Sequence, residues 1–253
     1  MSNYLIFENL SVIILAVFLG GIVKGSVGIG MSMFSVPIIA LIIPPTKAMM
    51  LLCFPVIFTN FLQMNVKKGV GSLRFLPMFL FLFLGLIIGG KLILKVDINF
   101  ISIAIAIVII FFTSLNFFHI DFSYLKIKSE KKISMFIGFF SGLIGGLTTF
   151  YAPPIITFLI SIKIEKEFFI RTTATMYFFA SIPLYSSMIY HKLGDIYDLI
   201  ASFILVLPAF LGQFIGTKIR RKISNAIFQK TILFILIIIG FTLLFKNLII
   251  IIN

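Results

Sequence analysis

The sequence predicts an α-helical integral membrane protein built from two inverted repeats. The prediction rests on the apolar composition, on a glycine-rich stretch that occurs twice, and on where the basic residues lie. Of the 253 residues, 60% are hydrophobic and 11% are charged, whereas soluble domains carry roughly 45–50% apolar and about 25% charged residues. The mean hydropathy is +1.21. The apolar blocks are long and uninterrupted, which indicates helices rather than the alternating strands of a membrane barrel.

Apolar segments occur in the same order in both halves of the chain, about five in each half. In the first half they lie at about residues 10–23, 31–43, 48–64, 76–90 and 98–118, and in the second at about 133–144, 148–162, 168–190, 199–215 and 227–252. The predicted organisation is a first repeat at 1–120, a basic cytoplasmic linker at 121–132 and a second repeat at 133–253.

The second segment of each half is shorter than a membrane span. It has about 13–15 residues, whereas a helix needs roughly 20 residues to cross the hydrocarbon core. The short segments either cross as broken, half-length helices or form re-entrant hairpins with the segments before them. The count of membrane elements is therefore eight to ten.

Two glycine-rich stretches, residues 20–37 and 138–154, interrupt the apolar segments. At a shift of 117 positions, Gly21 falls on Gly138, Gly25 on Gly142, Gly28 on Gly145 and Pro37 on Pro154. Broken helices expose backbone N–H and C=O groups, which inside a membrane must be satisfied by protein, water or a ligand. Paired interruptions in two halves indicate a transporter binding site. The alternative is close helix packing through small residues.

The basic residues indicate the topology. Whether the short segments cross as broken helices or form re-entrant hairpins, each half crosses the membrane an odd number of times. The second half is then inverted relative to the first. Inverted halves bring the basic loop at 67–74, the linker and the basic cluster at 218–222 to one side, as expected for cytoplasmic loops. Four ordinary helices per half would instead place the cluster at 218–222 on the opposite side of the membrane from the other two basic segments. The net charge of +13 is therefore interpreted as a topology signal of a multi-pass protein in the inner, cytoplasmic membrane, and no nucleic-acid partner is expected.

The candidate substrate contacts come from the two glycine stretches and from the segment that follows the second one. They are Gly25, Ser26, Gly28, Gly30, Ser32, Gly142, Gly145, Gly146, Thr148, Thr149 and Arg171. Glycines let a ligand approach the backbone, and a helix N-terminus attracts anions. Lys24 and Lys47 could also attract an anion, although snorkelling to the membrane interface is the favoured interpretation for both.

The positions of the acidic residues and the lack of catalytic motifs exclude several functions. The eight Asp and Glu residues all lie in or next to loops, so a carboxylate proton relay is not expected. The sequence contains no nucleotide-binding loop, metal cluster or catalytic triad, and neither an enzyme activity nor a cofactor is expected. Asn60, Gln63 and Gln213 lie inside or near the ends of spans, where an interhelical hydrogen bond is a commoner role than pore lining.

The two glycine stretches resemble the TauE/SafE family, also called the sulfite exporter or toluene-sulfonate uptake permease family. The resemblance is carried by Gly20-Gly21-x3-Gly25-x2-Gly28-x-Gly30 with Val36-Pro37, by Gly138-x3-Gly142-x2-Gly145-Gly146 with Pro153-Pro154, and by Arg171-Thr-Thr-Ala-Thr175. It covers about residues 10–245 and implies a secondary transporter of the prokaryotic cytoplasmic membrane that moves sulfite, sulfonates or related small organic anions. Leu147 departs from the pattern, since a third glycine is common there.

The expected function is transport of a small anion by alternating access, with the anion bound near the midplane between the two glycine stretches. A passive channel for anions or small solutes is the alternative, and a non-transporting subunit of a membrane assembly is a third possibility. The expected partners are a small anionic substrate and the lipid bilayer. The sequence does not choose between H+ and Na+ as coupling ion, and it does not indicate the oligomeric state.

Overall fold

The computed structural model describes residues 9–64, 73–115, 127–162, 164 and 166–220, and single residues between 234 and 245. The described helices are α1 (Leu10–Val27), α2 (Met31–Ala40), α3 (Pro45–Met50), α4 (Cys53–Met64), α5 (Leu76–Leu92), α6 (Ile98–Leu115), α7 (Ile127–Thr148), α8 (Ala152–Ser161), α9 (Lys166–Tyr190), α10 (Ile196–Ile204) and α11 (Val206–Ile219). Short 3-10 turns, Leu73–Phe75 and Ile93–Lys95, flank α5. Lys67 and Lys68, residues 121–126 of the linker and most of the last predicted segment lie outside the described residues.

Within these ranges the protein is helical and contains no strand. Four segments of the described chain are long and apolar enough to cross a membrane, namely Leu10–Val27, Pro45–Met64, Leu76–Lys95 and Ile196–Ile219. Phe203, Leu207 and Phe214 on α10 and α11 are each at least 60% exposed, which suits a surface that faces lipid. The prediction of an all-helical membrane protein is confirmed.

The helices α1 and α2 form a tight hairpin. The turn between them, residues 28–30, is here called the first elbow. Gly28 has φ 95° and donates its N–H to the carbonyl oxygen of Lys24 at 2.7 Å, and Gly30 has φ 98° at the start of α2. Glycine adopts this left-handed region without the steric cost of a Cβ. Ser35 donates its hydroxyl to the carbonyl oxygen of Ala16 at 2.9 Å, which ties α2 back against α1.

The helices α7 and α8 form a second hairpin of the same kind. The turn between them, residues 149–151, is here called the second elbow. Thr149 has φ 64° and donates its N–H to the carbonyl oxygen of Gly145 at 2.7 Å. Ser141 donates its hydroxyl to the carbonyl oxygen of Tyr151 at 2.6 Å, and this bond ties the elbow itself to the helix before it. The two elbows therefore share a backbone design, although a threonine replaces the first glycine.

Helix α1 packs along α11, and α7 packs along α5. Glycines lie where the backbones meet: a Cβ on Gly25 would be 2.2 Å from the carbonyl oxygen of Gln213, and one on Gly142 would be 2.3 Å from that of Leu82. Such distances leave no room for any side chain. These glycines therefore permit the backbone-to-backbone packing that is typical of membrane helices.

The helix contacts match the two halves at a shift of 121 positions, whereas the sequence alignment of the glycine stretches gave 117. The difference is about one helical turn. Gly212 meets the carbonyl oxygen of Phe18, and Gly85 meets that of Phe139. The two glycines are 127 positions apart, as in the sequence alignment of that region, but the two phenylalanines are 121 apart. The elbows also differ by 121 positions rather than 117. Small residues repeated every four positions align equally well after a shift of one turn, so their spacing alone does not fix the register.

Lys47 forms an ion-pair cluster with Asp195 and Asp198, here called the clasp. Its ammonium lies 3.0 Å from Asp195 Oδ2 and 2.5 Å from Asp198 Oδ2, and it joins the start of α3 to the start of α10. Asp195 and Asp198 also form a capping box at the start of α10. Burial raises the pKa of the Asp195 carboxyl, but the hydrogen bond from the N–H of Asp198 and the Lys47 ammonium outweigh it and hold that pKa below the usual 3.8.

The clasp should weaken in acid. A carboxyl whose pKa is depressed in the folded state contributes stability above its unfolded pKa and loses it as the pH falls through the folded pKa. We expect Asp195→Asn to lower the thermal unfolding temperature of the detergent-solubilised protein at neutral pH, and the gap to the wild type to close below pH 3.8. Asp97→Asn, an exposed carboxylate that accepts the N–H of Asn99, is the matched control. A gap that is constant across the pH range would contradict the prediction.

Candidate functional site

The two elbows meet around a small cavity of about 30 Å³. Gly30 and Ser32 line it from the first elbow and α2, Thr149 and Tyr151 line it from the second elbow, and Asn60 lines it from α4. A cavity of this size holds about two water molecules or one compact ion. The cavity lies between the two glycine stretches, where the sequence predicts the substrate site, and substrate binding there stays a prediction.

Lys24 supplies the charged group among the described residues that line this cavity. Its side chain is only 3% exposed, so it does not snorkel to an interface, contrary to the favoured sequence interpretation. It lies in the last turn of α1, and its ammonium donates a hydrogen bond to Asn60 Oδ1. An amide is a weak partner for a buried cation, because only a full counter-charge offsets the loss of hydration.

The carboxylates whose side chains the structure describes lie away from the cavity. Glu130 binds the Arg74 guanidinium with both oxygens, at 2.6 and 2.5 Å, and Asp195 and Asp198 bind Lys47. Asp97 is exposed. Among the described residues, no acidic group therefore neutralises Lys24. The ammonium form of Lys24 therefore has no described counter-charge in the cavity.

Thr149 brings a strained backbone and an unpaired hydroxyl to the same cavity. Its φ of 64° is a genuine outlier for a β-branched residue, and left-handed conformations cost about 1–2 kcal/mol for residues with a Cβ. Its Oγ1 is buried and has no hydrogen-bond partner in the described structure. A hydroxyl held in this way can donate to an anion without losing an internal bond.

Two tyrosines form an aromatic wall of the cavity. The rings of Tyr151 and Tyr177 meet edge to face, with centroids 5.2 Å apart, and the Tyr177 hydroxyl donates to the carbonyl oxygen of Ala152 at 3.3 Å. Sequence reasoning did not select either tyrosine, nor the pairing of Lys24 with Asn60. Tyr151 did lie inside the second glycine stretch, which was the available signal.

The structure separates the predicted site residues into three groups: those at this cavity, those that bond or pack within the helix bundle, and those at a second cavity described below. Gly30, Ser32 and Thr149 line the cavity, and Gly145 lies beside it, where a Cβ would be 2.4 Å from Tyr151 Cβ. Ser26 and Thr148 donate their hydroxyls to backbone oxygens one turn earlier, and Gly25, Gly142 and Gly146 face the backbones of neighbouring helices. A ligand contact by any of these residues stays a prediction.

Arg171 lines a second, larger cavity of about 330 Å³, here called the vestibule. Gln63, Gln213, Thr217 and Arg220 line it too, which gives it two guanidinium groups.

Gly28 lies between the vestibule and the central cavity. A Cβ on Gly28 would be 3.4 Å from Gln63 Nε2, and Gly28 follows Lys24 by one turn of α1. Gln63 similarly follows Asn60 by about one turn of α4. The vestibule and the central cavity are therefore about one helical turn apart along both α1 and α4.

Substitutions at Thr149 separate its strain from its hydroxyl. Thr149→Gly removes the steric strain and should raise stability by up to about 1 kcal/mol, while loss of a hydrogen bond to a charged group should weaken anion binding by roughly tenfold. Thr149→Ser keeps the hydroxyl and should retain wild-type affinity. Thermal unfolding and anion titration of the purified protein measure the two effects. Equal affinities for the serine and glycine variants would contradict a ligand role for the hydroxyl.

The helical fold and the apolar spans define an integral membrane protein, and the lysine that lines the central cavity is buried inside its helix bundle. The family model described as "Sulfite exporter TauE/SafE" matches residues 13–243. The chain belongs to the TauE/SafE family, a family of membrane transporters. Among curated proteins and among solved structures, nothing matches the chain.

Proposed function

We propose that the protein is a secondary transporter that moves sulfite, or sulfonates and related small anions, across the cytoplasmic membrane by alternating access. The observation that carries the proposal is Lys24, a buried ammonium without an acidic partner in the described chain, at the point where the two elbows meet. A bound oxyanion supplies the missing charge and accepts hydrogen bonds from Lys24 and Thr149. The cavity volume of about 30 Å³ favours a compact anionic group.

Two inverted repeats are the architecture that this mechanism uses. The clasp brings the starts of α3 and α10 together. The bidentate Arg74–Glu130 pair brings the starts of α5 and α7 together. Helix α1 runs parallel to α11, and α7 runs parallel to α5, as the order of their glycine contacts indicates. The elbows thus enter from opposite sides, which supports inverted rather than parallel halves.

The distribution of charge supports an orientation for this architecture. Lys131, Lys132, Lys218 and Arg220 lie toward the end that holds Arg74, and Lys and Arg favour the cytoplasmic side. The vestibule lies at that end, and the clasp lies at the other. The structure therefore corresponds, in this proposal, to a state that is open toward the cytoplasm and closed outside.

Accessibility labelling of single cysteines tests the orientation. In a Cys53→Ala background, Lys132→Cys and Arg220→Cys should react with a membrane-impermeant reagent only from the cytoplasmic side, and Lys192→Cys only from outside. Reaction of Lys132→Cys and Arg220→Cys from opposite sides would contradict inverted repeats and leave the helical fold unaffected.

Counterflow tests the function. Proteoliposomes loaded with unlabelled sulfite should transiently accumulate labelled sulfite above its external concentration, because an alternating-access site exchanges bound anions. Vesicles without protein are the control, and a panel of sulfate, thiosulfate, taurine and sulfoacetate defines the specificity. Equilibration without accumulation would indicate a passive channel, and no flux above the control would refute anion transport.

A further inference from the structure

We propose that anion transport by this protein is coupled to protons and that Lys24 carries the coupled proton. The inference rests on the proposed function, since it assigns the coupling ion of the same site. One proton would move with each anion, in the same direction. The argument depends on the burial of Lys24 and on the groups that surround it.

The surroundings of Lys24 are neutral or basic in the described chain. Helix α2 contributes Met31 and Ser32, α4 contributes Asn60, and the second elbow and α9 contribute the titratable groups Tyr151 and Tyr177. Cys53 lies about two turns before Asn60 on α4, and Tyr185 of α9 shares a hydrogen bond with Ser32.

The described charges on α11 and around the vestibule are basic. Lys218 of α11 lies over the Phe214 ring at 4.3 Å, and Arg171 and Arg220 line the vestibule. Helix α6 bears no titratable side chain. Glu130 of α7 is paired with Arg74, and Glu167 lies at the start of α9, ten residues before Tyr177. No carboxylate is described in contact with Lys24, whose hydrogen bond goes to Asn60.

A buried ammonium in such surroundings can be neutralised in two ways. It can bind an anion, or it can give up its proton to water, because an isolated buried charge is far more costly than a neutral amine. A carrier that closes around the empty site must dehydrate it. It therefore returns with the neutral amine, whereas the loaded carrier moves with an ammonium and an anion. The cycle transfers one proton for each anion.

Asn60 suits this exchange. Its amide oxygen accepts an N–H from Lys24 in either protonation state, and its amide nitrogen can donate to a neutral amine after rotation of the side chain. A carboxylate at this position would hold the ammonium permanently charged and would compete with the substrate. Asn60 is therefore a positioning residue that permits Lys24 to change its charge.

The experiment uses proteoliposomes of the full-length chain, sulfite as the probe and a pH-sensitive dye inside, with the membrane potential clamped at zero. An inside-alkaline gradient should drive the wild type to accumulate sulfite above vesicles without protein. Lys24→Arg keeps the charge but holds its proton, so it should lose this accumulation, and whatever sulfite exchange it retains should carry no proton from the side chain. Sulfite binds protons itself, but this contribution is the same in both proteins, so the wild type should co-move one more proton per sulfite than the variant.

Asn60→Asp provides a second variant if arginine does not fit the cavity. It should fold normally and lose both accumulation and counterflow, because the ion pair excludes the anion. Wild-type counterflow without gradient-driven accumulation would overturn proton coupling and leave the transport proposal standing. Equal proton flux per sulfite in the wild type and in Lys24→Arg would overturn the role of Lys24, and absence of any wild-type flux would overturn the transport proposal itself.

Discussion

Replacing Lys24 with glutamine is expected to abolish sulfite transport without unfolding the protein. Removing one partner of a buried charge pair usually costs 2–5 kcal/mol, so sulfite affinity should fall by roughly 30-fold or more. The protein itself should become no less stable, because the substitution removes a buried charge that lacks a described acidic partner. Counterflow in proteoliposomes measures transport, and titration of the purified protein measures affinity.

Lys218→Gln is the matched control for that experiment. Lys218 lies in the last turn of α11, with its ammonium over the ring of Phe214. The substitution therefore also removes one lysine charge, but at a position outside the central cavity. It should leave sulfite affinity within a few-fold of the wild type. Wild-type transport by Lys24→Gln would contradict the site, and equal losses in both variants would indicate general attraction of anions rather than a specific contact.

Replacing Gly142 with leucine should have the opposite signature, a loss of the fold rather than a selective loss of binding. A Cβ at Gly142 would lie 2.3 Å from the carbonyl oxygen of Leu82, 2.7 Å from the N of Leu86 and 2.8 Å from Gly85 Cα. These are backbone atoms of α5, so the helices must separate. Overpacking in a core typically costs 1–3 kcal/mol, and a clash with backbone should cost at least about 3 kcal/mol.

Yield of monodisperse protein in detergent and the thermal unfolding temperature measure this effect. Phe140→Leu, at a half-exposed position on the same helix, is the control and should behave as the wild type. Gly25→Leu should repeat the loss in the other helix pair, since its Cβ would be 2.2 Å from the carbonyl oxygen of Gln213. A stable Gly142→Leu protein that fails to bind sulfite would instead support the predicted ligand contact by Gly142.

The general fold follows from local properties of the sequence. Long apolar blocks require helices in a membrane because backbone groups must be paired within the chain. Glycines near the ends of two such blocks mark the places where the chain reverses, and Gly28 and Gly30 adopt the left-handed conformations that only glycine accepts without cost. These signals lie within a few residues of each other, so a single sequence contains them.

The details of the site depend on contacts that the sequence does not encode locally. Asn60 lies 36 positions after Lys24, and their pairing depends on how α4 packs against α1. A lysine in the last turn of an apolar helix can point outward or inward, and only the crossing of the neighbouring helices decides between them. The register of the glycine stretches was ambiguous for a related reason, because a small residue every fourth position matches itself after one turn.

The second elbow also limits how much the site can hold. In the register given by the contacts, Lys24 corresponds to Gly145, and the space beside Gly145 is filled by Tyr151, whose Cβ would be 2.4 Å from an added Cβ. A second lysine at the matching position is therefore sterically excluded. In the proposed transporter the central charge of the described residues therefore lies on one side of the pseudo-twofold axis, and we expect it to bind a single anion off that axis.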